Sequence, residues 1–194
     1  MLSHLKSKRI ILASQSPRRQ QLLKGLDIEF EIVKRDTDES FPTDLKQHEI
    51  AVYLSQKKAK AFGDLLDENT LVITCDTIVH FDGVILNKPT DRVEAISMLK
   101  QLSGRKHEVY TGVTLSSQQK TPSFYQETKV YFRNLSEQEV EYYIDNYKPY
   151  DKAGSYGVQE WLGYTGIDKI EGCFFNVMGL PLNKLYMELL YWNA

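Results

Sequence analysis

The sequence predicts an α/β fold: a mixed, twisted sheet flanked by helices. Three observations carry this prediction. Short apolar or β-branched runs recur along the chain, segments with helix-capping signals lie between them, and the two kinds alternate without strict order. No internal repeat or flexible linker interrupts the 194 residues. A single domain over 1–194 is therefore expected, in which any two lobes share one sheet.

The elements follow in order. Ile10, Ile11 and Leu12 form a short buried strand. Ser16 is the N-cap and Pro17 the first residue of a helix with Leu22, Leu23 and Leu26 on its apolar face, ended at Gly25. EFEIVKR reads as a second strand, followed by the acidic, irregular DTDESFPTD. A long helix starts near Thr43, with Ile50, Leu54, Ala61 and Phe62 on one face and lysines on the other. LVITCDT is the strongest strand signal, and it runs into an acid, Asp76.

IVHF and VILN flank Asp82-Gly83, which suits a two-residue hairpin turn. Asp91 with Glu94 resembles a capping box for a helix ending near Gly104. HEVYTGVTLSS and SFYQETKVYFRN read as paired long strands, and Ser136 with Glu139 opens a further capped helix. YDKAGSYGVQEWLGYTG reads as a glycine-rich loop, FFNVMG as a last strand and PLNKLYMELLYW as a terminal helix.

Composition narrows the function classes. With 42% hydrophobic residues, 26% charged and a net charge of −2, nothing supports sequence-independent nucleic-acid binding. Cys75 and Cys173 have no CxxC spacing, which argues against a zinc site or disulfide framework and for thiols in a reducing cytoplasm. No apolar stretch reaches the roughly 18 residues of a membrane span. The N-terminal segment is too broken by charge for a signal peptide. A cytoplasmic protein with neither membrane nor nucleic acid as partner is expected.

Three clusters carry chemistry. ILASQSPRR puts Arg18 and Arg19 at a helix N-terminus, where the macrodipole disfavours cations by roughly 0.3–1 kcal/mol each. Strand, Ser14-x-Ser16-Pro17 turn and two guanidiniums together suit a polyphosphate cradle. The plain alternative is that both arginines splay into solvent. No P-loop, GxGxxG or GxSxG elbow competes. Asp76, at the carboxyl end of the LVITC strand, suits a divalent metal or a proton acceptor for water, or else a strand cap through Thr77. Lys58 and Lys88 could reach a phosphate, although solvation is the default for any lysine. In AGSYGVQ, Tyr156 offers a stacking face and the Gln159 amide can read an edge presenting carbonyl and N–H together, as uracil and thymine do. A structural loop would use the same residues.

In this order the clusters resemble the Maf family of nucleoside triphosphate pyrophosphatases. The resemblance rests on ASQSPRR, the lysine of QKKAKA, CDTIV, LNKP, LSGRKHEVYTGV, VYFRNLSEQEV, DKAGSYGVQ and GLP, which span nearly the whole chain. The Asp76-Thr77 pair and YGVQ look like the branch that hydrolyses dTTP and UTP, rather than the branch acting on 7-methyl-GTP. The resemblance implies Asp76 as proton acceptor and Arg18, Thr77 and Gln159 as the positions that set base preference. Ser14, Ser16, Arg19, Lys58 and Lys88 would surround the triphosphate. It also implies a fold like that of the inosine triphosphate pyrophosphatases, with two lobes around a central cleft, often as a homodimer. Gln15 stands where the family loop often has glycine, and Glu160-Trp161 follow Gln159 where many members have glycine.

The implied reaction converts a pyrimidine nucleoside triphosphate and water to the monophosphate and pyrophosphate, with Mg²⁺ or Mn²⁺. CTP and modified pyrimidine nucleotides are further candidate substrates. Asp76, with Glu39 of the acidic stretch as second carboxylate, is the expected metal-holding pair. Another class stays open: a nucleotide-binding regulator of cell division, since the family name is tied to inhibition of septum formation. The stretches EYYIDNYKPY and LYMELLYW serve either as core or as interface anchors.

Overall fold

A computed structural model describes residues 2–192. Its elements are β1 (Arg9–Leu12), α1 (Pro17–Lys24), β2 (Glu31–Ile32), α2 (Gln47–Lys60), β3 (Thr70–Phe81), β4 (Val84–Leu86), α3 (Arg92–Leu102), β5 (Lys106–Ser116), β6 (Ser123–Phe132), α4 (Glu137–Tyr147), α5 (Trp161–Gly166), β7 (Ile167–Gly172), α6 (Phe174–Val177) and α7 (Leu182–Leu190). The sheet order is β2-β1-β3-β5-β6-β7, with β4 on β3. It is mixed: β1 runs parallel to β2 and β3, while β4 on β3 and β7 on β6 are antiparallel.

The chain divides into two compact units. The first holds residues up to Asp76, Thr111–Gln126 and those from Gly179 on; the second holds Thr77–Tyr110 and Glu127–Met178. In the first, Ile11 and Val72 pack on Phe62, just past α2. In the second, Leu99 and Leu102 of α3, Tyr143 and Ile144 of α4, and Val130 and Phe132 of β6 form the core.

Local chemistry explains most elements. Ser16 accepts from the Arg19 N–H and Pro17 opens α1, while Gly25 closes it. Ser136 and Glu139 form a complete capping box on α4. Asp82 (φ 50°) and Gly83 (φ 84°) make the tight turn between β3 and β4; two consecutive positive φ values match the right-handed twist of a hairpin. Every residue of β3 from Thr70 to Asp76 is buried, as expected of a central strand covered on both faces.

The structure corrects several expectations. EFEIVKR pairs only at Glu31–Ile32, and the long helix starts at Gln47 rather than Thr43. Asp91 caps α3, yet the Glu94 carboxylate reaches back to the N–H and hydroxyl of Thr90 (2.7 Å each), one residue beyond a closed box. The glycine-rich segment contains a helix, α5, followed by an unforeseen strand, β7. FFNVMG is one helical turn instead of a strand, with Asn176 buried and holding the Val109 carbonyl and the Thr128 hydroxyl at 3.0 Å. Of the tyrosines in EYYIDNYKPY, Tyr143 is in the core while Tyr142, Tyr147 and Tyr150 are exposed. Among the described residues no helix is long and apolar enough to cross a membrane.

Candidate active site

In the first unit, the β1–α1 turn puts Ser14, Ser16, Arg18 and Arg19 together. Ser14 is buried, and its hydroxyl accepts the Ser16 N–H at 3.2 Å. The Arg19 N–H is held weakly by the Ser16 hydroxyl at 3.5 Å, and the Gln20 N–H by the Ser16 carbonyl. Two donors of the turn are thus bound by the chain's own hydroxyls. Arg18 is half-buried on the first turn of α1. The Arg19 Nε donates to the Gly179 carbonyl at 2.8 Å, which offsets the cost of a cation at that helix end. Gln15 is not one of the non-glycine residues with positive φ, so its side chain carries no left-handed backbone strain.

Lys58, in the last turn of α2, joins two carboxylates. Its ammonium donates to Glu39 Oε1 at 2.9 Å and to Asp76 Oδ1. The Lys58 and Asp76 side chains are 17% and 11% exposed, so this pair lies largely out of water, whereas Glu39 is open. Burial opposes the charge on Lys58, but the Asp76 carboxylate and its hydrogen bond win, and the ammonium is held above its ordinary value. The Arg19 charge acts on Lys58 in the opposite sense and also on Cys75, whose thiol burial pushes up. Arg19, Lys58 and Asp76 therefore share one electrostatic neighbourhood. Next to them, Lys57 fixes the acidic stretch through Asp38 (2.6 Å) and the Ser40 carbonyl (2.9 Å).

Asp76 is not at the end of its strand, as the sequence suggests. β3 pairs with β1 as far as Ile73 and with β4 from Val79 on. Asp76 and Thr77 lie in the stretch between these two pairings.

The second unit holds Thr77, Lys88 and Gln159. Lys88 is exposed, next to Asn87, whose carbonyl accepts the Gly154 N–H at 3.2 Å and so ties the LNKP segment to AGSYGVQ. Gln159 lies in a turn closed by the Glu160 N–H on the Gly157 carbonyl (3.1 Å). Its Oε1 is a buried acceptor without a hydrogen-bond partner. A buried orphan acceptor costs about 1–3 kcal/mol, which a ligand donor would recover. Tyr156 is not a stacking platform: it is 5% exposed, and its hydroxyl is 2.7 Å from His107 Nε2. The sequence reading missed His107, Tyr143 and Lys152 as supports of this loop; the lysine of DKAGSYG was the one visible signal.

Comparison with known proteins settles the kinship. The Maf family, described as Maf-like protein, matches residues 9–191. The chain belongs to the Maf family. This Maf chain is 50% identical over 192 residues to a Porphyromonas gingivalis protein named dTTP/UTP pyrophosphatase, covering 97% of this chain and 96% of that one. Proteins of the same name from Parabacteroides distasonis and Bacteroides thetaiotaomicron are 51% and 49% identical, covering 97% of this chain and 98% of each. Among solved structures, it is similar to the Ham1 protein of Staphylococcus aureus at a TM-score of 0.47 and 16% identity, over 64% of this chain and 72% of that one.

Proposed function

We propose that this chain is a dTTP/UTP pyrophosphatase, which adds water to the α-phosphorus and breaks its bond to the α–β bridging oxygen. The products are the nucleoside monophosphate and pyrophosphate. Relatives of about half-identical sequence, matched over nearly their full length, carry that name. The observation that carries the chemistry is the Glu39–Lys58–Asp76 group, two carboxylates on one largely buried ammonium.

Asp76 takes the proton from the attacking water, and the hydrogen bond it accepts from Lys58 orients its carboxyl group. Lys58, Arg19 and Lys88 offset charge on the triphosphate and the departing pyrophosphate. Ser14 and Ser16 shape the turn that presents Arg18 and Arg19. Gln159, with its buried Oε1 acceptor lacking a hydrogen-bond partner, reads the N–H of a uracil or thymine edge, while Arg18 and Thr77 contribute to base preference.

A divalent cation fits the donor set. Among the described residues no group of three or more histidine, cysteine, aspartate or glutamate side chains is placed to hold a metal ion by itself, but Asp76 and Glu39 converge on one ammonium. One or two carboxylates plus substrate phosphates is the usual surrounding of Mg²⁺. When bound, Mg²⁺ or Mn²⁺ would neutralise phosphate charge. Both cysteines are free, in keeping with a cytoplasmic enzyme.

The test is to incubate the protein and Mg²⁺ with dTTP, UTP, CTP, GTP and 7-methyl-GTP and resolve the products. TMP and UMP with pyrophosphate, and little from the purines, is the expected result. Asp76→Asn should keep nucleotide binding and lose turnover; full hydrolysis by this variant refutes the role of Asp76. Binding with no product from any nucleotide would favour the regulator instead.

A further inference from the structure

We infer that Glu160 is a positioning residue, which together with Tyr143 and Lys152 fixes the turn that presents Gln159 and so sets base discrimination. This rests on the reading of Gln159 given above. Gln159 occupies the Gly157–Glu160 turn, whose closing bond from the Glu160 N–H to the Gly157 carbonyl is 3.1 Å.

Tyr143 of α4 reaches that turn from its core side. Its hydroxyl accepts the Gly157 N–H at 2.9 Å and donates to Glu160 Oε2. Both hydrogen-bonding capacities of one phenol are thereby spent on the two ends of a single turn. Lys152 adds a third tie from the preceding segment: its ammonium lies 3.0 Å from Glu160 Oε1 and 2.7 Å from Asp151 Oδ1. The Lys152 and Glu160 side chains are 9% and 21% exposed, so these charges are held by one another more than by water. Burial, and then the facing Glu160 carboxylate, push the Tyr143 hydroxyl above its ordinary value, which keeps it a donor.

The arrangement leaves little room for the turn to relax. A Cβ on Gly157 would stand 2.7 Å from Glu160 Cδ and 3.0 Å from Gln159 Nε2, so both side chains fold over the same glycine. Shifting the Glu160 carboxylate therefore shifts the space against which the Gln159 amide rests. The Gln159 carbonyl is held independently by the Tyr164 hydroxyl. With the main chain tied at 157, 159 and 160, the amide orientation is set before any nucleotide arrives, and pre-organisation of this kind shows in affinity.

The experiment compares wild type, Gln159→Ala, Glu160→Ala, Glu160→Gln, Tyr143→Phe and the Glu160→Ala/Tyr143→Phe double variant. Each is assayed for kcat and KM with dTTP, UTP and GTP, with Tm measured alongside. The expected result for Glu160→Ala and Tyr143→Phe is a roughly tenfold rise in KM for dTTP and UTP, with GTP unchanged, so that discrimination falls. Glu160→Gln, whose amide oxygen can still accept from Tyr143, should lie between wild type and Glu160→Ala. The double variant should be no worse than the worse single one, because both remove the same clamp. Equal losses for all three nucleotides, or unchanged discrimination in both single variants, overturn the inference. Should Glu160→Ala fail to fold, Tyr143→Phe and Glu160→Gln decide. Relaxed discrimination in Gln159→Ala with none in the clamp variants refutes the clamp alone. No discrimination in wild type refutes the reading of Gln159 beneath it.

Discussion

His107 should make the stability of this protein depend on pH above the range where carboxylates act. Its ring is fully buried, edge-on to Phe132 and Tyr156. Burial pushes its pKa down to about 3, with Glu108 pulling weakly the other way. The folded pKa is thus below the unfolded value of about 6.5. The unfolded chain then binds a proton that the folded chain refuses, so stability rises with pH and is lost as pH falls from about 6.5 toward the folded value. Integrated from about pH 7.5 to about pH 5, one such histidine removes ~2 kcal/mol.

The carboxylates act lower. Glu139, held down to about 2 by Arg133 and the Ser136 N–H, has its stabilising effect lost only as pH falls through the ordinary carboxylate range and below. The assay is urea unfolding at both pH values for wild type and His107→Gln, which cannot titrate. Wild type should lose ~2 kcal/mol more than the variant over that interval. Equal losses in the two proteins would refute the argument, whatever the absolute stability of the variant.

Three further outcomes are expected. Gly112→Ala puts a Cβ 2.2 Å from the Ala51 carbonyl oxygen on α2; this overpacking should cost about 2 kcal/mol or more and lower Tm by about 4–8 °C, and an unchanged Tm would exclude the close approach. Ser136→Ala removes the cap of α4 and should cost about 1 kcal/mol in denaturant unfolding. Lys58→Met removes the cation joining Glu39 and Asp76 and should lower kcat with dTTP about 10²-fold or more, measured on protein shown by circular dichroism to be folded.

The places where sequence and structure part company have a common cause. The YDKAGSYGVQEWLGYTG segment reads as loop for its richness in glycine, yet residues 161–166 are helical with Leu162 buried in the core of the second unit. Tertiary burial overrode propensity. EFEIVKR has the composition of a full strand, but strand pairing with β1 is limited to Glu31 and Ile32, with one further bond from the Val33 N–H to the Leu12 carbonyl. FFNVM carries an apolar run too short for its period to distinguish strand from helix. The sequence makes Tyr156 available for stacking, and only its packing against Phe132 and His107 shows that the ring is already engaged.

What the sequence determined by itself is what operates within a few residues. The Ser16-Pro17 start of α1, the Ser136–Glu139 box and the Asp82-Gly83 turn are decided by hydrogen bonds and φ preferences local to the chain, and all three are present as read. The kinds of residue needed for phosphate chemistry were likewise visible. Only the tertiary structure decided which of them meet. Lys58 finds Glu39 and Asp76 at separations of 19 and 18 residues, and Tyr143 finds Glu160 at 17. Contacts of that range exist because α2, α4 and β3 bury their apolar faces, which brings together charges that no local preference could have paired.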